Sequence, residues 1–423
     1  MPVKPINQLS ARTPALADVL AVADPFNGQT GKSTVQQAAN AGLRLGTAVI
    51  ETVTGTNYVP YTYAITPGFP TSRDGVLTPV NAAGVTVERY DLAYGGLVTL
   101  TQNNLVGVSG NYTPSAMASL TTLSNPLLSY VGSSYQPNTM ASLTTLSTPL
   151  LAYVGGNYGP NTMDSITTLS TPLLTFVGGA YIPNFMASLT TLSAPLLAYA
   201  YSYQPNNMAS LTTLSAPLLA YVGFNYGPNA MASLTTLSTP LLTFVGNLYQ
   251  PNTMASLTTL SAPLLTFVGG DFQPRILASL ATINFPALKS IGVDLARTFF
   301  GNGRIYLQSM AALTSVTFPA IEVIGSAQSI SVSIINGTAA LSTFTLGSTL
   351  RRVEGNVIMT SCALTQASVD GLLVRLAALN GTGVTTAYSS KTVTITGTSA
   401  APSSTGLAAK ATLVARGCTV THN

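Results

Sequence analysis

Residues 117–139 read Met117-Ala-Ser-Leu-Thr-Thr-Leu-Ser-Asn-Pro-Leu-Leu-Ser-Tyr-Val-Gly-Ser-Ser-Tyr-Gln-Pro-Asn-Thr139, and the chain repeats this pattern again and again. The opening Met recurs at Met140, Met163, Met186, Met208, Met231 and Met254, always 23 residues on except for one step of 22 between Met186 and Met208. A fixed period of this length marks a stacked array and outranks local propensity. Within a copy, Leu120, Leu123, Leu127, Leu128, Tyr130, Val131 and Tyr135 are the apolar positions, and Pro126, Gly132 and Pro137-Asn138 punctuate them. Segments this short, bounded by Gly and Pro, read as strands and turns rather than helices. One copy cannot bury its own apolar face, but stacked copies can, each Leu resting on the Leu of the next coil. With strands about 4.8 Å apart, about ten coils predict a rod on the order of 50 Å long.

The register runs beyond the near-identical copies. Leu97 to Tyr112 is a degenerate copy upstream; Leu280 to Gly292 and Leu313 to Gly325 follow downstream, displaced by an insertion around residues 299–305. The stretch from Leu341 to Gly355 reads as the last copy, and drifting end copies suit a role in capping the core. Positions fixed between copies, the Leu-Leu pair included, are expected in the core. Positions that vary are 125, 129, 133, 134, 136 and 139 and their equivalents, and Ile182, Phe185, Tyr201, Phe224 and Leu248 place apolar side chains in this variable region. These five residues are the candidate ligand surface; neutral drift on a tolerant edge is the competing reading. The shortened copy at residues 200–203 has lost its Gly and is the expected place for a local kink.

Leu-Thr-Ser-Val-Thr-Phe-Pro from Leu313, with Ile324-Gly325, and Leu-Thr-Thr-Leu-Ser-x-Pro-Leu-Leu-x-Tyr-Val-Gly in the central copies resemble the leucine-rich repeats of the BspA-like bacterial surface antigens. The likeness covers residues 97–355. The chain departs from that class in placing Tyr-x-Pro-Asn where Cys or Asn is usual.

Charge narrows the possible partners. Charged residues make up only 7% of the 423 residues, against about 25% in a typical soluble domain. Between Asp91 and Asp271 the only one is Asp164, read as facing solvent. The surface there must consist of Ser, Thr, Asn, Gln, Gly and Tyr, which suits either hydroxyl and amide ladders or a recognition face built of rigid aromatics and adaptable polar groups. A surface this poor in charge fits a fixed assembly better than a freely diffusing protein. The net charge is +4 without a basic cluster, so no nucleic-acid partner is expected. No uncharged stretch free of Pro and Gly reaches the 18 or more residues of a membrane span, and Met1–Gln8 lack the apolar segment of a secretory signal.

Gly28-Gln-Thr-Gly-Lys-Ser-Thr34 evokes a phosphate-binding loop, but that motif needs Gly at position 26, which is Phe26. The same region reads differently beside its neighbours. Ile6-Asn-Gln-Leu-Ser, Thr13-Pro-Ala-Leu-Ala-Asp-Val-Leu-Ala-Val-Ala-Asp24 and Gly31-Lys-Ser-Thr-Val-Gln-Gln37 resemble the N-terminal segment of tailed-phage fibre proteins, with Ala21 where that family has Pro. The resemblance implies virion anchoring through Ile6, Leu9, Leu16, Val19, Val22 and Val35, contact with other virion proteins, assembly in the bacterial host cytoplasm and a homotrimer.

His422 is the only His and stands next to the C-terminus, where fraying is expected. No triad or imidazole metal site can be built on it within one chain. Catalysis, cofactors and metals are not expected. Asn336-Gly-Thr and Asn380-Gly-Thr read as turns. Cys362 and Cys418 leave both a disulfide and two free thiols open. Near the C-terminus, Val369, Leu372, Leu373, Leu376 and Leu379 have helical spacing, residues 391–396 read as a strand, 405–416 as a second helix and 418–421 as a last strand.

The expected fold is mainly β. A leucine-rich-repeat solenoid of 23-residue period spans residues 93–360, preceded by an attachment segment (1–48) and a small β region (49–92) and closed by an α/β cap (361–423). The expected role is a phage fibre or spike that binds a host-surface glycan or protein. A virion cement protein and a bacterial surface adhesin are the alternatives.

Overall fold

The structure, a computed structural model, describes residues 52–55, 85–87, 97–103, 105–292, 303–325 and 330–423. The fold is mainly β, a parallel solenoid of about 13 turns with a period of about 23 residues and a small helix-and-strand region near the C-terminus. The chain divides into two compact units, Met1–Ala200 and Tyr201–Asn423. The division falls within the shortened copy.

The coil from Met117 shows how the sequence makes a turn of the solenoid. Met117 and Leu120 are fully buried, and the Leu120 N–H donates to the Met117 carbonyl at 3.0 Å, closing a tight turn. Strand Thr122–Ser124 points Leu123 inward between two outward hydroxyl side chains, the alternation a strand imposes. Pro126 and Leu127 form a second turn, closed by the Leu128 N–H on the Asn125 carbonyl at 3.2 Å. Strand Tyr130–Val131 buries Val131, and Tyr135 carries a third line of bridges to the next coil. The residue before each Met takes a left-handed conformation. In the first unit these are Ala116, Thr139, Thr162 and Phe185, with φ between 50° and 57°.

Equivalent residues pair coil to coil. In the first unit Leu100, Leu123 and Leu146 pair in one parallel ladder, Tyr130, Tyr153 and Phe176 in a second, and Tyr112, Tyr135, Tyr158 and Tyr181 in a third. In the second unit the ladders include Leu237 with Leu260, Tyr221 through Phe244 and Phe267 to Ser290, and Tyr203 through Tyr226 and Tyr249 to Phe272. The third line then widens into a five-stranded parallel sheet of Ile305–Gln308, Ile330–Ile335, Asn356–Cys362, Thr392–Gly397 and Thr419–His422.

Helix α1, Gln366–Ala377, starts where the Thr365 side chain accepts from the Ser368 N–H, and it buries Val369, Leu372, Leu373 and Leu376. Helix α2, Ser404–Ala415, is capped by Ser403 and followed by Gly417 at φ 78°. Ser368 Oγ accepts from the Phe344 N–H at 2.9 Å and so ties α1 to strand Thr343–Leu346. Asp370 Oδ1 accepts from the Ser403 N–H at 2.9 Å and ties α1 to the start of α2.

Several expectations change. In the Leu341–Gly355 copy Thr343–Leu346 and Arg352–Val353 end their sheets, as expected of a last copy, and only the third line runs on, through Asn356–Cys362, Thr392–Gly397 and Thr419–His422. His422 is not frayed: it ends the last strand, with Nε2 3.0 Å from Lys410 Nζ. The first Leu of the Leu-Leu pair is outside, with Leu127 42% and Leu150 41% exposed, because it sits on the Pro-Leu turn rather than in a strand. The variable position 125 is inside: Asn125, Thr148, Thr171, Ala194, Ala216, Thr239 and Ala262 are all buried. Cys362 and Cys418 are free, buried thiols, and burial pushes the Cys362 thiol up to about 11.

Candidate functional site

Two aromatic ladders determine what each coil can present. The inner one is fully buried. Tyr112, Tyr135, Tyr158 and Tyr181 stack at 5.1–5.3 Å between centroids. Tyr203, Tyr226, Tyr249 and Phe272 do the same in the second unit, at 5.0–5.6 Å. Burial holds the hydroxyls of Tyr112, Tyr135, Tyr158, Tyr181, Tyr226 and Tyr249 neutral well above the ordinary tyrosine range. Hydrogen bonding moderates this rise at Tyr181 through Thr171. The buried variable position answers the ladder directly in the first coil. The Tyr112 hydroxyl donates to Gln102 Oε1 at 2.8 Å and lies 3.0 Å from Asn125 Oδ1. The hydroxyls of Tyr135, Tyr158 and Tyr249 have no hydrogen-bond partner among the described residues.

The outer ladder belongs to the Tyr-Val strands. In the first unit Tyr130, Tyr153, Phe176 and Tyr199 stack at 4.8–5.1 Å. In the second unit Tyr221, Phe244 and Phe267 stack at 4.5 and 5.0 Å and are half-buried. Glycine after Val is required here. A Cβ on Gly155 would collide with the Gly132 carbonyl of the preceding coil, and the Tyr153 ring edge already lies 3.3 Å from where it would stand. Rings stacked in this way show their edges, not their faces, to solvent.

The five candidate ligand residues are brought together only in part. Phe224 stacks on Tyr201 at 5.5 Å, and its N–H donates to the Tyr201 carbonyl. Both rings are exposed, Tyr201 at 46% and Phe224 at 40%. Leu248, one coil on, is half-buried, its N–H donating to Asn225 Oδ1 at 3.2 Å. In the first unit Ile182 is half-buried above Gly159 of the preceding coil. Phe185 is 52% exposed at φ 50°, a conformation that costs an ordinary residue about 1–2 kcal/mol. Asp271, at another variable position, is buried and ion-paired with Arg304 at 2.7 Å, so it does not belong to an open surface. The candidate anchoring residues Ile6, Leu9, Leu16, Val19, Val22 and Val35 lie outside the described residues.

The hydroxyls are divided between structure and surface. Thr144 and Thr258 donate their Oγ1 hydrogens to carbonyls of the preceding coil, at 3.1 and 3.2 Å. The outward Thr of the Thr-Leu-Ser strands is exposed at Thr145, Thr168, Thr213, Thr236 and Thr259 and half-buried at Thr122 and Thr191. Asp164 is exposed too, as its place in the repeat predicts. Among the described residues no group of three or more His, Cys, Asp or Glu gathers as metal ligands would, and no helix is long and apolar enough to cross a membrane.

Compared with known proteins, the chain matches no family model, no curated protein and no solved structure.

Proposed function

We propose that this chain is a non-enzymatic structural protein of a bacteriophage virion, a homotrimeric fibre or spike that attaches the particle to the host surface. The observation that carries the reading is the nearly chargeless solenoid. Residues 92–270 hold one charged side chain, Asp164, and the described coils among them present hydroxyls, amides, aromatics and leucines outward. Such a surface solubilises a free protein poorly and serves a protein fixed in an assembly. The resemblance of residues 6–37 to phage fibre N-termini supplies the virion, the anchor and the trimer. The likeness of the repeat to BspA-like surface proteins supports a role at a cell surface. The exposed Tyr201–Phe224 pair offers rigid aromatic contact area beside the amide of Asn225, a combination suited to a glycan or a protein receptor. The solitary His422, tied to Lys410 in the last strand, supports a role without catalysis.

The test compares the full chain with a version starting at Leu97, each mixed with isolated Gram-negative outer membranes and Gram-positive cell walls and then sedimented. Co-sedimentation of both versions with one envelope type, abolished by Phe224→Ala, is the expected result. Failure of both versions to bind any envelope would refute attachment and leave the cement-protein role.

A further inference from the structure

Outward positions of one coil differ in chemistry from side to side. On the Thr-Leu-Ser side of the second unit, Thr213, Thr236 and Thr259 are exposed, and Thr236 pairs in register with Thr259. At the Pro-Leu turn the outward side chain is Leu in each of these copies. Leu241 and Leu264 are 40% and 45% exposed, and Leu218 is half-buried. Three residues further on in each coil stands the half-buried ladder of Tyr221, Phe244 and Phe267. The hydroxyls between these two columns are bound to backbone carbonyls. Thr243 Oγ1 donates to the Ala220 carbonyl at 3.0 Å and Thr266 Oγ1 to the Thr243 carbonyl at 2.9 Å. The result is a band three columns wide and three coils long without a charge in it. In the first unit Leu127 and Leu150 are likewise exposed, and of the aromatic column there Tyr153 is half-buried and Tyr130 buried.

A solvated sheet face is expected to alternate toward polar residues, as the Thr-Leu-Ser side does. Contiguous exposed apolar columns mark a contact surface. Two features specify what covers this one. Its side chains repeat once per coil, so a partner that seats every Leu must have the same axial repeat, which a second copy of this chain has by construction. Like faces also meet without repulsion, because residues 92–270 contain no charge except Asp164, which belongs to the exposed Met-Asp-Ser turn rather than to the band.

We propose that this apolar band is the face on which copies of this chain pack side by side, coil against coil. The proposal rests on the fibre reading for the parallel arrangement and number of copies; the contact itself is read from the surface.

The test is the sedimentation-equilibrium mass of the full chain beside Leu241→Asp and the double variant Leu150→Asp/Leu241→Asp, with far-UV circular dichroism to confirm that each is folded. The wild type is expected at a multiple of its 43.5 kDa chain mass and the folded double variant at the single-chain mass. A second variant, Leu241→Cys, is expected to form a disulfide-linked dimer on mild oxidation, whereas Thr236→Cys on the hydroxyl side stays monomeric. A wild type at the single-chain mass that does not cross-link overturns the proposal. An oligomer that survives the double substitution, or cross-links equally through Thr236→Cys, also overturns it while leaving the fibre reading intact. Loss of envelope binding by a monomeric Leu241→Asp from a monomeric wild type would assign the band to the receptor instead.

Discussion

The inner and outer aromatic ladders share a period, a stacking distance close to 5 Å and nearly parallel rings, yet they do different work. The inner ladder is sealed on all sides, so each ring is held by its neighbours above and below and by the Leu and Met columns around it. The outer ladder leans over glycines and, in the second unit, keeps part of each ring in solvent. The inner ladder is Tyr in six of the seven near-identical copies and Phe272 in the last; the outer one alternates Tyr and Phe freely. Stacking alone is therefore indifferent to the hydroxyl. What separates the ladders is whether the coil closes around the ring.

Truncation should expose that difference most strongly. Tyr158→Ala empties a buried site between Tyr135 and Tyr181 and is expected to cost about 4 kcal/mol by urea denaturation. Phe244→Ala removes a half-buried ring between Tyr221 and Phe267 and should cost about 1–2 kcal/mol. Equal losses would erase the distinction. Next in size is Gly155→Ala. The added methyl must push the Gly132 carbonyl and the Tyr153 ring away, so a loss of about 1–3 kcal/mol is expected although only one carbon is added. A neutral result would mean that the coils are not in the close contact described. The smallest and most specific effect lies within the inner ladder. Tyr112→Phe breaks a hydroxyl network with Gln102 and Asn125 and should cost about 1 kcal/mol. Tyr158→Phe removes a hydroxyl without a partner and should be neutral or stabilising by a similar amount. The sign difference between these two substitutions is the quantity to measure.

The sequence makes some of this easy to read and hides the rest, for physical reasons. The period itself, the inward Met117, Leu120 and Leu123, and the helical spacing of Val369, Leu372, Leu373 and Leu376 are plain because period and burial coincide. Leu127 misleads because invariance between copies looks like burial. The Pro-Leu turn breaks the alternation, and here an outward residue is kept as faithfully as an inward one. Asn125 misleads in the opposite way: it varies between copies yet is buried, because the space beside the Tyr hydroxyl accepts Asn, Thr or Ala. The Pro before Leu127 was the available warning, since a turn at that point resets which residues face the core. For the candidate surface, Tyr201 and Phe224 are legible as apolar residues at variable positions, but their stacking follows from the coil register, which variation between copies does not encode.

The claim on which everything else depends is that the tyrosines of the inner ladder are sealed in the core. Alkaline titration tests it directly, following tyrosinate absorbance and far-UV circular dichroism on the same sample. Burial raises the folded-state values of Tyr112, Tyr135, Tyr158, Tyr181, Tyr226, Tyr249 and Tyr388 above the unfolded value of about 10. Their contribution to stability is therefore fully present below pH ~10 and is lost as the pH rises beyond it. The loss is about 1.4 kcal/mol per pH unit for each tyrosine that ionises only on unfolding. The account predicts a first group of exposed tyrosines titrating with the dichroism unchanged, followed at higher pH by a steep second group that appears together with loss of the β signal. Ionisation of every tyrosine near pH ~10 with the β signal intact would contradict it.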